Sequence, residues 1–574
     1  MKKILTSIAL IASLATPTFA QTTSQTQLVG KYIFESEEVL ELLENFRESF
    51  SMQDFAFSVV DINTGLSYYN SDKLFQIASI TKIFTAVGIM QLVERGLINL
   101  DSPITYYIPN FSHLPHPVTG GDYREVTVRM LLNHTSGIQN DFWGSEALTL
   151  DAPSNCFLNN LVYNLSTRYF LFPPGTSISY NNNAFNLLGI IIANVAGYSE
   201  DPAAGYISYI NENILNPLEM NSTTFPVENL ENFAGVYSAP NTLAANELNF
   251  FFNVLPTGSL LSTASDMSHF MQFLLEGDEE VLGEYYMQKL FYLHPIEFES
   301  GFSTNITNPR FSLGFMHQIW PTGILTIGHG GNLIFHHSNM VLNFETGVGA
   351  FSATNTLSGA SGGVFLAQEM MNFLIGLMGY EPNILSVTES VVQTRQAEEL
   401  SIYTGLYLTG TGFFNVFLEE NALYLQIHPE IILELIPLED GSFIENLTNQ
   451  RIRFTELEGT MLMILGNFND QIVTRITPSV ATDKELSLLG RFYPTDLSLV
   501  SHIEIRQHEK GFVYFASYTN NGQTVIMPII HLEESNFILA NNYIFEFGVY
   551  GLTWWGAYEY LAFEYAGVLF IGGN

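Results

Sequence analysis

The spacing of apolar residues changes period along the chain. Over 36–50 they recur three and four apart, so that Val39, Leu43, Phe46 and Phe50 share one face, which predicts an amphipathic helix. Ser36 stands where it can cap that helix, and Glu37 and Glu38 suit its positive end. The period then falls to two over Phe55–Asp61 and Leu66–Tyr69, with Asn63-Thr64-Gly65 between them, which predicts a hairpin. A second helix is expected from Ser79 to Arg95, ended by Gly96. From 101 to 225 the pattern is helices joined by long loops rich in Asn, Pro and Gly. Short strands return around Gly328 and over 340–355, and a last helix covers 363–377. This order predicts an α/β unit over 30–380, an antiparallel sheet flanked by helices with a helical subdomain inserted.

Residues 381–398 read as a linker, and the texture changes after it. Short alternating strands such as 413–418, 422–427 and 452–455 are punctuated by turn residues, with no strong helix. The stretch 399–574 is therefore expected to be all-β, one or two antiparallel barrels. A weak internal repeat points to two related units. The segment 400–407 resembles 485–492 around Gly405 and Gly490, and 438–444 resembles 532–538.

At 574 residues the chain exceeds one ordinary domain, and a hydrophobic share of 47% supports large packed cores. The formal net charge is −37, which argues against nucleic acid or anionic lipid as a partner. Lys2 and Lys3, the apolar run 4–15 and Thr18-Phe19-Ala20 read as an export signal over residues 1–20. The mature chain would begin at Gln21 and act in the periplasm or outside the cell, with no membrane anchor. Cys156 is the only cysteine, so no intramolecular disulfide forms; it reads as a buried inert thiol rather than a nucleophile.

Three short motifs carry candidate chemistry. Ser79-Ile-Thr-Lys82 places a hydroxyl and an amine one helical turn apart, and of eight lysines only Lys82 has a serine three positions before it. If Ser79 opens its helix, the dipole there favours developing negative charge. A buried Lys82 would favour its neutral form, which can take the serine proton. The alternative is a capping serine and a surface lysine. Tyr180-Asn-Asn182 follows a Pro-Pro-Gly-Thr turn and could present a proton-relaying phenol and a carbonyl-holding amide; the alternative is a packed tyrosine. His329-Gly330-Gly331 lies just before an apolar strand, where glycine permits close approach of a substrate backbone. The Asn332 amide could complete an oxyanion hole with that of Ser79. The alternatives are a glycine-rich turn, or a metal site with His336 and His337, for which no second ligand cluster has convincing spacing. His134-Thr135-Ser136-Gly137 reads as a turn held by side-chain hydrogen bonds. Phe142 and Trp143 suit either a core or a cleft wall.

Together these segments resemble the serine β-lactamase-related family, which includes class C β-lactamases, D-alanyl-D-alanine carboxypeptidases, D-aminopeptidases and esterases. The resemblance extends to 131–137 (Leu-Leu-Asn-His-Thr-Ser-Gly), Phe172-Pro173-Pro174-Gly175-Thr176, Leu187-Leu188-Gly189, Pro217-Leu218-Glu219-Met220 and 258–267. It implies a β-lactamase/transpeptidase-like fold and an acyl-enzyme mechanism without metal or cofactor, acting on a small-molecule or peptide substrate. Ser79 would be the nucleophile, Lys82 its base and Tyr180 the general acid/base. Asn182, His329, Gly330, Gly331 and Asn332 would bind substrate, with His329 in the place of the lysine of a Lys-Thr-Gly element. Two departures stand out. Gly330 replaces a threonine whose hydroxyl helps to bind a substrate carboxylate, and Phe335 replaces a usual glycine. Both favour an ester, amide or D-amino-acid peptide over a β-lactam or D-Ala-D-Ala. The tail also resembles family members whose C-terminal barrels restrict access to the cleft, and its aromatic residues, with Trp554, Trp555 and Tyr558, read as a gate on substrate size, as barrel core or as a carbohydrate- or protein-binding module. The sequence leaves the oligomeric state open.

Overall fold

The computed structural model describes residues 31–573 with breaks. Outside the described residues lie 1–30, 116–119, 139–147, 150–155, 171–172, 227–229, 244–250, 294–309 and 383–391, some single positions, and most connections between the later strands. The export signal, Phe142, Trp143, Trp554, Trp555 and Tyr558 all fall there.

The central sheet has seven antiparallel strands. In chain order they are β1 (Phe55–Asp61), β2 (Leu66–Tyr69), β3 (Arg310–Phe311), β4 (Met316–Ile319), β5 (Leu325–Asn332), β6 (His337–Asn343) and β7 (Val348–Thr354), and their spatial order is β2-β1-β7-β6-β5-β4-β3. The hairpin β1–β2 matches the sequence expectation, closed by Gly65 at φ 68°. The central strands β1, β6 and β7 are almost entirely buried, and their alternate residues serve two cores. Ala56, Val60, Met340, Leu342, Phe351 and Ala353 join the larger core with the inserted helices. Phe57, Val59, Val341, Val348 and Ala350 pack under the N- and C-terminal helices, α1 (Glu37–Ser49) and a long helix Ala360–Met378. Each large apolar side chain so buried contributes about 1.5–3 kcal/mol.

Val39 and Leu43 of α1 are buried in this second core, and Phe46 packs against it, as their spacing predicts. Ser36, however, makes no capping bond; its hydroxyl is buried and without a partner among the described residues. The second helix, α2 (Thr81–Glu94), is apolar on nearly every face and buried from Thr81 to Leu92. It runs through the centre of the larger core, where Phe84 stacks on Phe270 at 3.9 Å. Among the described residues, no helix is long and apolar enough to cross a membrane.

Two closed eight-stranded barrels follow. The first runs from Gly405–Thr409 to Gln471–Ile476 and closes through Leu406 opposite Ile476. The second runs from Gly490–Pro494 to Val568–Gly573 and closes through Phe492 opposite Gly572. The two halves of the internal repeat fall on equivalent elements. Gly405 and Gly490 open the first strand of their barrels, and Phe443 and Phe537 stand in the fifth.

Candidate active site

The chain enters α2 through a strained step. Ala78 is fully buried at φ 49°, an uncommon conformation for a residue with a side chain, and such strain costs of order 1–3 kcal/mol. The surroundings hold it in place. Ile77 N–H donates to Leu260 O at 2.9 Å, and the Ser338 hydroxyl donates to Ile77 O at 2.9 Å. Gly331 packs so closely that a Cβ there would lie 2.3 Å from Ile77 O. Ser79 follows in a short 3-10 turn, Ala78–Ile80, and α2 proper begins at Thr81, two residues later than its sequence suggests. Ser79 is half-buried among fully buried neighbours.

Lys82 sits in the first turn of a helix that is buried all round, so the helix carries its amine inside, and its exposure is 0%. Nζ lies 3.0 Å from Ser79 Oγ and 3.0 Å from Thr257 O, and 4.9 Å from the centre of the Tyr180 ring. The surface-lysine alternative is therefore wrong. Thr257 also donates its hydroxyl to Asn182 O at 2.8 Å, tying Lys82 to the start of α3 (Asn182–Val195). Sequence reasoning missed Thr257 because its bond to the amine comes from a backbone carbonyl, which no residue type advertises. Its only signal was the similarity of the segment 258–267 just after it.

Tyr180 precedes α3 and Asn182 is its first residue, while Asn181 caps the helix by accepting from Ala184 N–H at 2.8 Å. The Tyr180 ring lies between two histidines, 4.6 Å from His134 and 5.9 Å from His329. His329, Gly330, Gly331 and Asn332 fall inside β5 rather than ahead of a strand. Their partners on β6 are Met340, Asn339, Ser338 and His337 in register. Leu333 N–H donates to His336 O at 2.9 Å. The alternation of an antiparallel ladder then turns the Asn332 N–H away from β6. The Asn332 side-chain oxygen accepts from His337 Nδ1.

His329 Nδ1 meets the Gly330 carbonyl, which can only accept, so that nitrogen carries the proton. Nε2 is left as a buried acceptor without a partner among the described residues. Burial, and then the charge of Lys82 whenever its amine is protonated, hold the His329 pKa down to about 3. At neutral pH this position is therefore an uncharged ring. At Gly330 a Cβ would meet no atom nearer than 3.9 Å, so nothing steric excludes a side chain there.

His336 and His337 are not arranged as metal ligands. His336 accepts from Gln76 N–H at 3.1 Å and donates to Gly235 O at 2.9 Å, so both ring nitrogens are committed to backbone. Among the described residues, no group of three or more His, Cys, Asp or Glu is placed to hold a metal ion. The 134–137 turn is held by side chains as expected, with the Thr135 hydroxyl donating to Asn133 Oδ1 at 2.7 Å. Ser79, Lys82, Tyr180 and His329 thus converge on one cleft bounded by the start of α2, the start of α3 and β5.

A penicillin-binding protein 4* from Bacillus subtilis (strain 168) is 24% identical over 423 residues, covering 67% of this chain and 83% of its own length. Protein flp from Staphylococcus aureus (strain MW2) is 29% identical over 227 residues, 38% of this chain and 43% of that one. The chain therefore spans less than half the length of the flp relative. In fold it is similar to the crystal structure of SurE with D-Leu, at a TM-score of 0.52 and 19% identity over 76% of this chain and 98% of that one. The Beta-lactamase family model matches residues 56–372, more than half of the chain and all of the cleft, and the chain belongs to that family.

Proposed function

We propose that this chain is an exported serine hydrolase that works through an acyl-enzyme, with Ser79 as nucleophile and Lys82 as its base. The observation that carries this reading is the 3.0 Å approach of a fully buried Lys82 Nζ to Ser79 Oγ. A neutral amine has two N–H donors and a lone pair. One N–H satisfies Thr257 O, and the lone pair accepts the Ser79 proton as Oγ bonds to the substrate carbonyl carbon. Negative charge then collects on the carbonyl oxygen, which the N–H groups of Ser79 and Asn332 receive at the head of α2 and the edge of β5. Tyr180, beside the amine, returns the proton to the leaving group. Water then attacks the ester on Ser79 and restores the hydroxyl.

The substrate we infer is an ester, an amide or a D-amino-acid-containing peptide. A neutral His329 and a bare Gly330 support this, because together they supply neither cation nor hydroxyl for a substrate carboxylate. The resemblance to penicillin-binding proteins keeps β-lactam or D-Ala-D-Ala hydrolysis as a second reading.

Intact-protein mass spectrometry separates these readings. The chain is exposed to a penicillin, a short nitrophenyl ester and a D-alanyl amide, with Ser79→Ala as control. A Ser79-dependent adduct or turnover with the ester or amide, and little with the penicillin, is expected. Reaction with the penicillin alone favours the second reading. No reaction with any donor in a folded protein would make the chain a ligand receptor instead.

A further inference from the structure

The function proposed above leaves His134 without a task, yet no other described histidine is held in so unusual a way. It stands at φ 62°, in the left-handed region, which is uncommon for a residue with a side chain although histidine enters it more readily than most. Its exposure is 1%. The Asn181 N–H can only donate, and it donates to His134 Nδ1 at 3.0 Å, so the ring is neutral with its proton on Nε2. Asn181 lies between Tyr180 and Asn182. The ring stands 4.6 Å from Tyr180, 5.2 Å from Phe185 and 4.5 Å from Phe311, and it fills the space behind the phenol. The same turn is tied to the approach to Tyr180 a second time, by Gly175 N–H donating to Thr135 O at 2.8 Å.

We propose that His134 is the positioning residue for Tyr180: its Nδ1 accepts from the backbone immediately after the tyrosine and so fixes where the phenol stands. Resting on the reading of Tyr180 as proton carrier, this assigns the 131–137 segment a part in proton delivery rather than in the turn alone. The fixed phenol lies 4.9 Å, ring centre to Nζ, from Lys82, and a displacement of about 1 Å at such a site can cost on the order of a hundredfold in rate.

Two substitutions separate the parts of this device. Asparagine tolerates the left-handed backbone, and its Oδ1 occupies the place of the histidine Nδ1, so His134→Asn keeps the acceptor. His134→Phe keeps a ring and loses the acceptor. The ester turnover of each is measured as kcat and KM, normalised to the fraction of protein acylated at Ser79. We expect His134→Phe to lose about tenfold or more in kcat with KM little changed, and His134→Asn to recover most of that loss. A merely structural role would instead lower the folded fraction and leave the kcat of the remainder alone. Parental kcat in His134→Phe, or equal losses in both variants, overturns the proposal. If His134→Phe does not fold, His134→Gln, whose polar atoms sit one bond further out, replaces it under the same criteria. If the parent shows no Ser79-dependent turnover, the acyl-enzyme reading fails first and this one with it, an outcome distinct from the others.

Discussion

Around Ser79 the molecule buries polar groups among its apolar ones: Lys82, His134, His329, His336, His337 and Asn181 all lie at 4% exposure or less. The first barrel buries fewer polar groups, Glu445 at 1% and Ser442 at 3% exposure among its described residues. Its described core is Tyr407, Val416, Leu423, Leu425, Leu435, Phe443, Ile452 and Met463, capped by Leu400 of the short helix Ala397–Ser401. Burying a polar atom costs stability unless a hydrogen bond compensates. His336 is compensated at both nitrogens, whereas His134 and His329 each keep one buried nitrogen without a partner among the described residues. The barrel core spends its burial on cohesion. The region around Ser79 gives up some cohesion to hold polar groups in place, and the distinction can be tested residue by residue.

The sharpest test is Lys82→Ala, which should lower acylation by about 10²–10⁴-fold while circular dichroism stays parental. Parental acylation in that variant would contradict the assignment. Next comes a pair of adjacent glycines. In Gly331→Ala the new methyl lies 2.3 Å from both Ile77 O and Ser338 Oγ, so the segment that carries Ser79 must move. We expect a loss of about tenfold or more in kcat/KM, against little change for Gly330→Ala, where no atom lies nearer than 3.9 Å. Equal effects in the two would mean that the close approach does not set the position of Ser79. In the barrel the effect should reverse in kind. Leu425→Ala should cost about 2–5 kcal/mol of barrel stability, read by denaturant unfolding, and leave short-ester kcat alone. A selective change in the ratio of long to short substrates would instead show that the barrels gate the cleft.

Per residue, the smallest effect is in pH. His113, His329, His336 and His337 are held below their ordinary value near 6.5, to about 4, 3, 3 and 4, chiefly by burial. The unfolded chain therefore binds protons that the folded chain refuses, and stability rises with pH. This contribution is complete above about pH 6.5 and is lost as pH falls through the window between about 6.5 and 3. Each such histidine removes roughly 1.4 kcal/mol per pH unit in that window. The midpoint of thermal unfolding should fall from pH 7 to pH 5, and should fall less in His336→Gln. A midpoint unchanged over that range would contradict the buried neutral state.

The sequence showed the elements whose signal is local. Alternation and Asn63-Thr64-Gly65 gave the hairpin its bounds, and the apolar run behind Ser79 gave α2 its length. Ser36 was misread as a cap because whether its hydroxyl reaches the helix end or turns inward depends on packing against the rest of the fold. Thr257 was invisible because it acts on the amine through a backbone carbonyl. His134 was visible only as part of a turn, since its ring nitrogen is bonded by Asn181, which stands 47 residues further along the chain. The number of barrels stayed open for the same reason. Closure rests on pairing between strands as far apart as Leu406 and Ile476, and alternation within one strand carries no record of its distant partner.

Ring closure also bears on how the chain keeps to itself at high concentration. An open sheet offers unpaired N–H and C=O groups along its outer strands, a template on which a second molecule can add. Both barrels bond every strand on two sides, so neither presents such a border. The seven-stranded sheet does have two outer strands, but β2 is four residues long and β3 spans two of the described residues. With a single cysteine and no internal disulfide to restrain it, the chain gains from this architecture a resistance to edge-to-edge aggregation, reinforced by the mutual repulsion of molecules that each carry a charge of −37.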